Sequence, residues 1–371
     1  MGAIVISARA RTVLATIRRH GAASRAALIR ESGLSGTAIF RATEELEAAG
    51  LVRTGDPVAS GRGQPSHLIH IVPDAAFALG LSVMTDRADV VLLDLAGRVR
   101  AQREITVAGM PRAALLDAAV AFGTAALQPL GIPPGRLKGM GIAVAGYFVA
   151  PGTVNPGEEL NDWALVDLHA AAARQLALPV AIENIASAAA LGERLLGSGA
   201  RYASSCYVNV AGGFGAGVIV DGVLLRGYHG NAGEVAGLFP LAGRVTPNLA
   251  TLRHCLDDHG VATAGIADMI ARFDPAWPGI ETWLEQHQPS FSYLFGALRY
   301  TLDCEAIILG GRLPRVLAQR IVAAVDWPEA QLPARRERRA PMTKLDVAVL
   351  EPELAGPLGA AALVFHRTLF D

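Results

Sequence analysis

Cysteine is scarce in this sequence of 371 residues. The chain contains only Cys206, Cys255 and Cys304, and no two of them form a CxxC or CxC pair. Disulfide frameworks and zinc ribbons need paired or closely spaced cysteines. The spacing therefore argues against both kinds of scaffold and indicates buried thiols in a reducing cytoplasm.

Apolar segments that could enter a membrane are also lacking. Arg9, Arg11, Arg18 and Arg19 interrupt any hydrophobic segment of a signal peptide. The uncharged run at 202–220, YASSCYVNVAGGFGAGVIV, is long enough to span a membrane, but its four glycines, two serines and asparagine make it a poor spanning helix. We expect it to form two buried strands around a glycine turn, in a cytoplasmic chain that does not contact a membrane.

Net charge is nearly absent, at −1 for the whole chain, so composition alone indicates neither nucleic acid nor a membrane as partner. The charge is unevenly distributed. Residues 1–72 hold nine arginines, no lysine and five acidic residues, a net charge of +4, and the other 299 residues carry −5. A small basic module joined to a larger acidic one is typical of nucleic-acid-binding proteins, although many basic segments are only solvated surface.

The basic module shows the pattern of three helices. Its helical segments end at Gly21, Gly33 and Gly50, and the second and third begin at the N-cap residues Ser24 and Ser35. A short glycine-containing turn between the second and third helices is typical of a helix-turn-helix. The strands LVRT and HLIHIV around the loop GRGQP then predict a two-stranded wing. The alternative is a three-helix bundle whose basic face binds nothing.

In a winged helix-turn-helix, the third helix enters the major groove with its N-terminal residues toward the base edges. Ile39 and Leu46 are expected to pack inward. The residues predicted at or near the DNA are Ser35, Thr37, Ala38 and Arg41.

The wing tip holds an arginine between two glycines, in the segment VASGRGQPSHLIHIV at 58–72. The minor groove is only about 6 Å wide, and a narrow A·T-rich groove attracts a guanidinium group. Arg62, Gly63 and Gln64 are therefore predicted to contact the minor groove. An ordinary hairpin turn in solvent is the alternative.

After Pro73 the pattern changes to alternating strands and helices. Residues 76–107 predict a three-stranded meander, followed by a helix and the buried strand KGMGIAVAG. A similar unit, SSCYVNVAGGFGAGVIVDGVLLRG, recurs about 125 residues later. Two such units predict a duplicated α/β lobe with a cleft between the copies.

Residues 138–236 resemble the ROK family (repressor, open reading frame, kinase), especially through ENIASAAALGE and GNAGE. The segments AIILGGRL and LGAAALVFH extend the resemblance, and GRGQPS matches the wing of the family's repressor branch, with Gln64 in place of an arginine. The resemblance implies an α/β two-lobed actin/hexokinase-like (ribonuclease H-like) domain preceded by an α+β winged helix-turn-helix domain. The expected boundaries are 1–72 for the DNA-binding domain, 73–190 plus 356–371 for the first lobe, and 191–355 for the second.

The sequence departs from the family's kinases at two sites. Where the kinases have the phosphate turn Asp-x-Gly-Gly-Thr, this chain has Ser82-Val83-Met84-Thr85-Asp86, whose side chains fill the turn and whose Asp86 places a negative charge near any phosphate. Where the kinases have Glu-Asn-Asp, it has Glu183-Asn184-Ile185, and isoleucine cannot accept a proton. We therefore expect no catalytic residues, no nucleotide cofactor and no kinase activity, although the second glycine turn, VAGGFGAG, is retained.

The family's structural zinc motif, Cys-x-Cys-Gly-x-x-Gly-Cys, is not found in the corresponding segment, AGRVTPNLATLRHCLDDHG. Cys255, His254 and His259 cannot reproduce its spacing, because a closed zinc site needs four ligands. They are interpreted as ordinary helix residues, and no metal site is predicted.

Four positions match the family's sugar-contacting set: Asn161, Glu183, Asn184 and Glu234. Carboxylates and amides form paired hydrogen bonds with vicinal hydroxyl groups, so these residues are predicted to bind a sugar or sugar-phosphate effector. The family's histidine, a zinc and sugar ligand, aligns with Gly237, so the four residues could instead be structural hydrogen-bonding groups in a cleft that binds nothing.

These observations predict a DNA-binding regulator, most simply a repressor of carbohydrate-utilisation genes, that binds a double-stranded operator and senses a sugar in a cleft without kinase activity. It is expected to form a homodimer or a higher homo-oligomer. The alternatives are an active ATP-dependent ROK sugar kinase, and a regulator controlled by a partner protein. The sequence identifies neither the operator nor the effector, nor whether the protein represses or activates.

Overall fold

The computed structural model of the protein describes residues 6–58, 66–327 and 340–370. Its first three helices are α1 (Ala8–His20), α2 (Arg25–Ser32) and α3 (Gly36–Ala48). Each begins at a serine whose hydroxyl oxygen accepts a backbone N–H of the first turn, which satisfies a donor that the helix itself cannot pair. The capping serines are Ser7, Ser24 and Ser35. The predicted helices are thus confirmed.

A three-stranded antiparallel sheet completes this domain. Its strands are β1 (Ala22–Ser24), β2 (Val52–Val58) and β3 (Ser66–Ile71), in the order β1-β3-β2. The pairing of β2 with β3 forms the predicted wing. The wing-tip residues Arg62, Gly63 and Gln64 lie outside the described residues.

The first lobe is built around a five-stranded sheet in the order β10-β7-β4-β5-β6. The strands are β4 (Phe77–Val83), β5 (Ala88–Asp94), β6 (Val99–Ile105), β7 (Leu137–Val144) and β10 (Val180–Asn184). Its helices are α4 (Arg112–Leu127), α5 (Leu168–Gln175) and α6 (Ile185–Leu196), and a hairpin of β8 (Tyr147–Ala150) and β9 (Thr153–Asn155) projects from it. The predicted meander is β4-β5-β6.

The second lobe repeats this plan with a sheet in the order β13-β12-β11-β14-β15. The strands are β11 (Ser205–Val210), β12 (Phe214–Val220), β13 (Val223–Leu224), β14 (Ala306–Gly311) and β15 (Lys344–Val347). The helices are α7 (Leu238–Leu241), α8 (Leu249–Asp258), α9 (Ile266–Ala271), α10 (Ile280–Leu302) and α11 (Arg315–Ala323). The apolar run at 202–220 forms β11 and β12 around a glycine turn, as predicted.

Helix α12 (Pro352–Phe365) returns to the first lobe and packs on its sheet and along α6. Glycines make this close approach possible. A Cβ atom on Gly359 would overlap the carbonyl oxygen of Ala188 in α6, and one on Gly141 would overlap that of Ala360. The backbones are therefore in direct contact where α12 crosses the first lobe.

The N-terminal domain shares its hydrophobic core with the first lobe. Val13, Leu14 and Ile17 of α1 belong to one buried cluster with Leu93 of β5 and Phe365 of α12. The domain is therefore held against the first lobe by continuous apolar packing.

Helix α4 and the turn after it, Arg112–Leu130, are long and apolar enough to span a membrane by length and composition. Leu115, Leu116 and Phe122 of this helix are buried in the first-lobe core. This packing is that of a core helix in a globular domain.

Candidate effector cleft and DNA-binding surface

The junction between β10 and α6 brings Glu183 and Asn184 to the cleft between the lobes. Strand β10 runs parallel to β7 and ends at Asn184, which is also the N-cap of α6. The Asn184 Oδ1 atom accepts the backbone N–H groups of Ala186 at 2.7 Å and Ser187 at 3.4 Å. Asn184 therefore has a structural role in the helix as well as a position at the cleft.

Glu183 is buried and is paired with an arginine from the other lobe. Its side chain is 3 % exposed, and its Oε2 atom accepts a hydrogen bond of 2.8 Å from Nε of Arg226. Its Oε1 atom accepts the backbone N–H of Asn184 at 3.0 Å. Burial raises the pKa of Glu183, and the charge of Arg226 opposes that rise. Both carboxylate oxygens are thus engaged by protein donors.

Glu234 approaches the same place from the second lobe. The Asn184 Nδ2 atom donates to Oε1 of Glu234 at 3.2 Å and to the carbonyl oxygen of Gly146 at 2.8 Å. The preceding Gly233 has φ 100°, and a Cβ atom there would overlap the carbonyl oxygen of Ala216 in β12, so this position requires glycine. Partial burial of the Glu234 carboxyl group raises its pKa.

A second contact between the lobes, which sequence reasoning missed, lies beside these residues. The Asn231 Oδ1 atom accepts the backbone N–H of Phe148 at 2.7 Å, and its Nδ2 atom donates to the Phe148 carbonyl oxygen at 2.8 Å. Asn231 thereby attaches the loop before Glu234 to the hairpin β8-β9. Its place in GNAGE was visible in the sequence, but its partner, 83 residues away, was not.

Asn161 lies on another element of the first lobe. It is exposed, in a short helical turn at Glu158–Trp163. Within the described ranges, no hydrogen bond joins it to Glu183, Asn184 or Glu234. The structure thus brings together three of the four predicted effector residues, and all three already have protein partners.

The two turns that the resemblance aligns with the kinase phosphate turns lie against each other. A Cβ atom on Gly212, in the turn between β11 and β12, would lie 3.8 Å from Oγ1 of Thr85 in the turn between β4 and β5. In the latter turn, both carboxylate oxygens of Asp86 bind Nη1 of Arg312, at 2.6 and 2.8 Å. The charge of Asp86 is therefore neutralised by a buried arginine of the second lobe.

Ile185, which the resemblance aligns with the proton acceptor of the family's kinases, is the first residue of α6. A Cβ atom on Gly356 of α12 would lie 3.7 Å from Cγ1 of Ile185, so its side chain packs toward α12. The side chain has no group that can accept a proton.

The histidine and cysteine residues of the expected zinc segment lie on α8 and at its end, as predicted. The Cys255 thiol is near the carbonyl oxygen of Gly279, at 3.4 Å. The His259 Nδ1 atom is 2.7 Å from the carbonyl oxygen of Cys255, and His254 lies 3.7 Å from Asp258. Over the described part of the chain, no group of three or more His, Cys, Asp or Glu side chains could hold a metal ion.

The predicted DNA-binding residues are found at the start of α3. Thr37 and Arg41 are exposed, Ala38 is half-buried, and Ser35 is exposed while its Oγ accepts the backbone N–H of Ala38 at 3.3 Å. Ile39 and Leu46 are fully buried, as expected. The N-terminal part of α3 thus presents Thr37 and Arg41 to solvent.

Two lobes with related sheets, a cleft between them and glycine turns at its end define a two-lobed actin/hexokinase-like protein. The model of the ROK family matches residues 78–248, so this part of the chain is a ROK family domain. The structure of a ROK family transcriptional regulator, a homologue of the Escherichia coli MLC protein, aligns with a TM-score of 0.72 at 20% identity and covers 97% of this chain and 96% of that one. A ROK glucokinase from Streptomyces griseus, in complex with glucose and AMPPNP, aligns over 78% of this chain and 99% of its own, with a TM-score of 0.62 at 20% identity. The predicted fold is confirmed.

Three proteins of similar sequence extend the comparison. The uncharacterized protein y4fQ of Sinorhizobium fredii is 26% identical over 98% of this chain and 92% of its own length. The xylose repressor of Caldicellulosiruptor bescii is 29% identical, over 60% of this chain and 56% of its own. The transcriptional dual regulator NagC of Escherichia coli is 25% identical, over 59% and 54%. The chain therefore spans little more than half the length of these two regulators.

Proposed function

We propose that this protein is a cytoplasmic DNA-binding transcriptional regulator, a repressor of carbohydrate-utilisation genes, and that its cleft binds a sugar or sugar derivative without phosphorylating it. The observation that carries the proposal is the continuous core that joins a winged helix-turn-helix domain to a two-lobed domain. The names of the relatives, xylose repressors and NagC among them, support the same function.

The absence of kinase activity is proposed from three features of the cleft. Ile185 stands where a proton acceptor is needed, side chains fill the first turn, and the Asp86–Arg312 ion pair joins the lobes beside the second turn. Phosphoryl transfer depends on positioning and on electrostatic stabilisation of the phosphates. The assay is ATP consumption with a panel of hexoses. Turnover above background that Gly212→Val abolishes would contradict the proposal.

A gel-shift experiment tests DNA binding and the response to sugars together. The full-length protein is titrated against duplex DNA from the region upstream of its own gene, with and without candidate sugars and sugar phosphates. We expect a specific complex that Arg41→Ala weakens and one of the sugars shifts. Glu234→Gln should weaken the sugar response and leave DNA binding intact, because Glu234 lies in the cleft and not in the DNA-binding domain.

A regulator controlled by a partner protein is a second candidate. It is favoured by one observation: Glu183 and Asn184 already have their hydrogen bonds satisfied within the protein. Calorimetric titration with the same sugars separates the two. Absence of heat from every sugar, with DNA binding unaltered, would refute the sugar sensor and leave the partner-controlled regulator.

We also propose that the protein acts as a homodimer through its two-lobed domain, because a two-fold symmetric helix-turn-helix protein matches a palindromic operator. Light scattering should give twice the mass of one chain, both free and on a single operator. A monomer in both states would contradict this arrangement.

A further inference from the structure

Phe40 is an exposed aromatic residue on the helix that is proposed to enter the major groove. All eleven phenylalanines of the chain lie in the described ranges. Among them, only Phe40 has an exposed side chain, at 46 %. Phenylalanine in this chain is otherwise a core residue: five of its side chains are fully buried. The exposure of Phe40 therefore needs an explanation.

The side chain occupies the centre of the outward face of α3. Residues three and four apart share one face of a helix, and Phe40 lies in an exposed row with Thr37, Arg41 and Glu44. The opposite face, with Ile39, is buried in the domain. Phe40 is thus presented beside two residues that the sequence predicts at the DNA.

An arginine holds the ring in place. The guanidinium carbon of Arg25 lies 5.2 Å from the centroid of the Phe40 ring, within the range of a cation–π interaction. Arg25 is the first residue of α2, directly after the N-cap Ser24, so its backbone is fixed. The contact favours one orientation of the ring and places a positive charge next to it.

The chemistry of the Phe40 ring limits which features of the DNA bases it can recognise. Phe40 has no hydrogen-bond donor or acceptor, so it cannot recognise the polar edges of guanine, adenine or cytosine. In the major groove, the thymine 5-methyl group is the apolar feature that distinguishes one base, and apolar side chains contact it. The positive charge of Arg25 is also suited to a neighbouring phosphate.

We propose that Phe40 is a specificity-determining residue that contacts the 5-methyl group of one thymine in each operator half-site, and that Arg25 is the residue that positions its ring. The inference rests on the proposed function, because it requires α3 to lie in the major groove. It adds a base contact to the set Ser35, Thr37, Ala38 and Arg41, in which Phe40 was not included.

The experiment begins with in-vitro selection of duplexes by the full-length protein. Failure to enrich any sequence would contradict the proposed function itself. With an enriched operator, each thymine is replaced singly by deoxyuridine, which lacks the methyl group and keeps the pairing edge. Burial of one methyl group predicts that the critical replacement weakens binding about four-fold in each half-site.

Phe40→Ala should bind the thymine and deoxyuridine operators equally while it keeps the thermal stability of the parent protein. Arg25→Ala should reduce the discrimination, and Arg25→Lys should restore part of it, because lysine also forms cation–π contacts. Tyr228→Ala, which removes a 97 % exposed aromatic side chain of the second lobe, is the matched control and should discriminate as the parent does.

Two results would contradict the proposed contact between Phe40 and a thymine methyl group without contradicting DNA binding. In one, no single deoxyuridine weakens binding by the parent protein. In the other, Phe40→Ala retains the parent's discrimination, so that another side chain reads the methyl group. A change of oligomeric state in Phe40→Ala, with discrimination retained, would identify the ring as a contact between chains and would also overturn it.

Discussion

Both carboxylate oxygens of Asp86 bind one guanidinium nitrogen of Arg312, although 226 residues separate the two in the chain. Asp86 belongs to the turn between β4 and β5 of the first lobe, and Arg312 follows β14 of the second. The side chain of Arg312 is 6 % exposed and that of Asp86 is 30 % exposed. The pair therefore connects the lobes at the end of the cleft where a kinase would hold phosphate.

Loss of Asp86 should destabilise the protein, because it leaves the Arg312 charge buried without its partner. Breaking a buried ion pair costs about 3–5 kcal/mol, and the partial exposure of Asp86 reduces the expected cost of Asp86→Ala to about 1–3 kcal/mol. Urea unfolding measures this change. Addition of Arg312→Met should recover part of the loss, because the unpaired charge is then removed.

The control for this pair is Asp257→Ala. Asp257 lies 3.9 Å from Arg253 on the surface of α8, with both side chains about two-fifths exposed. Its removal should leave the free energy of unfolding unchanged within error. An Asp86→Ala variant as stable as this control would show that Arg312 is solvated in solution and that the lobes are not joined there.

Removal of Arg226 should make stability depend on pH through Glu183. Burial raises the pKa of Glu183 even in the presence of Arg226. Because the folded state then binds a proton more tightly than the unfolded state, this group's contribution is most favourable at low pH and decreases as pH rises through the raised pKa. Arg226→Met takes away the opposing charge and raises that pKa further.

The expected loss of stability in Arg226→Met is therefore larger at pH 8 than at pH 5, by about 1 kcal/mol for a pair with one partly exposed member. Unfolding in urea at several pH values measures it. The control is the same substitution in the Glu183→Gln background, because the loss caused there by Arg226→Met should not vary with pH through this group. Equal losses at pH 5 and pH 8 would mean that Glu183 is not the titrating group.

The sequence predicts the helices and their caps well, because these features depend on residues that are close together in the chain. Ser24 and Ser35 cap helices through backbone N–H groups three residues away, and the spacing of Ile39 and Leu46 follows from helical geometry. The resemblance to ROK proteins likewise predicts the two-lobed fold. The domain boundaries, 1–72, 73–190 plus 356–371 and 191–355, stay a prediction.

The partners across the cleft could not be predicted. Arg226 and its partner Glu183 are 43 residues apart in the chain, and Asp86 and its partner Arg312 are 226 residues apart. Such pairs depend on how two lobes pack, which no periodicity encodes. From the sequence alone, Asp86 therefore has no visible partner for its charge, and the structure is needed to identify that partner. The effector roles of Asn161, Glu183, Asn184 and Glu234 also stay a prediction.

Arg18 of the N-terminal domain packs against two aromatic rings of the first lobe. Its guanidinium carbon lies 5.6 Å from the ring centroid of Phe365 and 5.0 Å from that of Phe370. Within the described residues, its buried Nε and Nη2 atoms have no hydrogen-bond partner. Burial lowers the pKa of Arg18 to about 10, with Asp94 opposing the shift, so the group is still charged at neutral pH.

Arg18→Met should therefore leave the free energy of unfolding unchanged or raise it by about 1 kcal/mol, because an apolar chain of similar length replaces a buried charge. Arg18→Ala should lower it by about 2 kcal/mol, because it leaves a cavity between the aromatic rings. The exposed neighbour variant Arg19→Ala serves as the control in the same urea titration. A loss in Arg18→Met as large as in Arg18→Ala would show that the charge itself stabilises the joint.

The contact between α12 and α6 should reverse the usual effect of replacing glycine in a helix. Gly359 lies within α12, and alanine is normally favoured over glycine in a helix interior by about 1 kcal/mol. Here a Cβ atom would overlap the carbonyl oxygen of Ala188, a backbone atom that cannot rotate away. Gly359→Ala should therefore destabilise the protein by about 1–3 kcal/mol.

Gly36→Ala is the matched control, because Gly36 begins α3 and a Cβ atom there would meet only Cδ1 of Ile29, at an ordinary 3.7 Å. Its stability should equal or exceed that of the parent. Thermal unfolding measures both variants, and if Gly359→Ala is insoluble, Gly359→Ser expressed at low temperature provides a second measurement of the same overlap. A Gly359→Ala protein at least as stable as the parent would show that α12 and α6 are further apart in solution, and that the two helices can separate without cost.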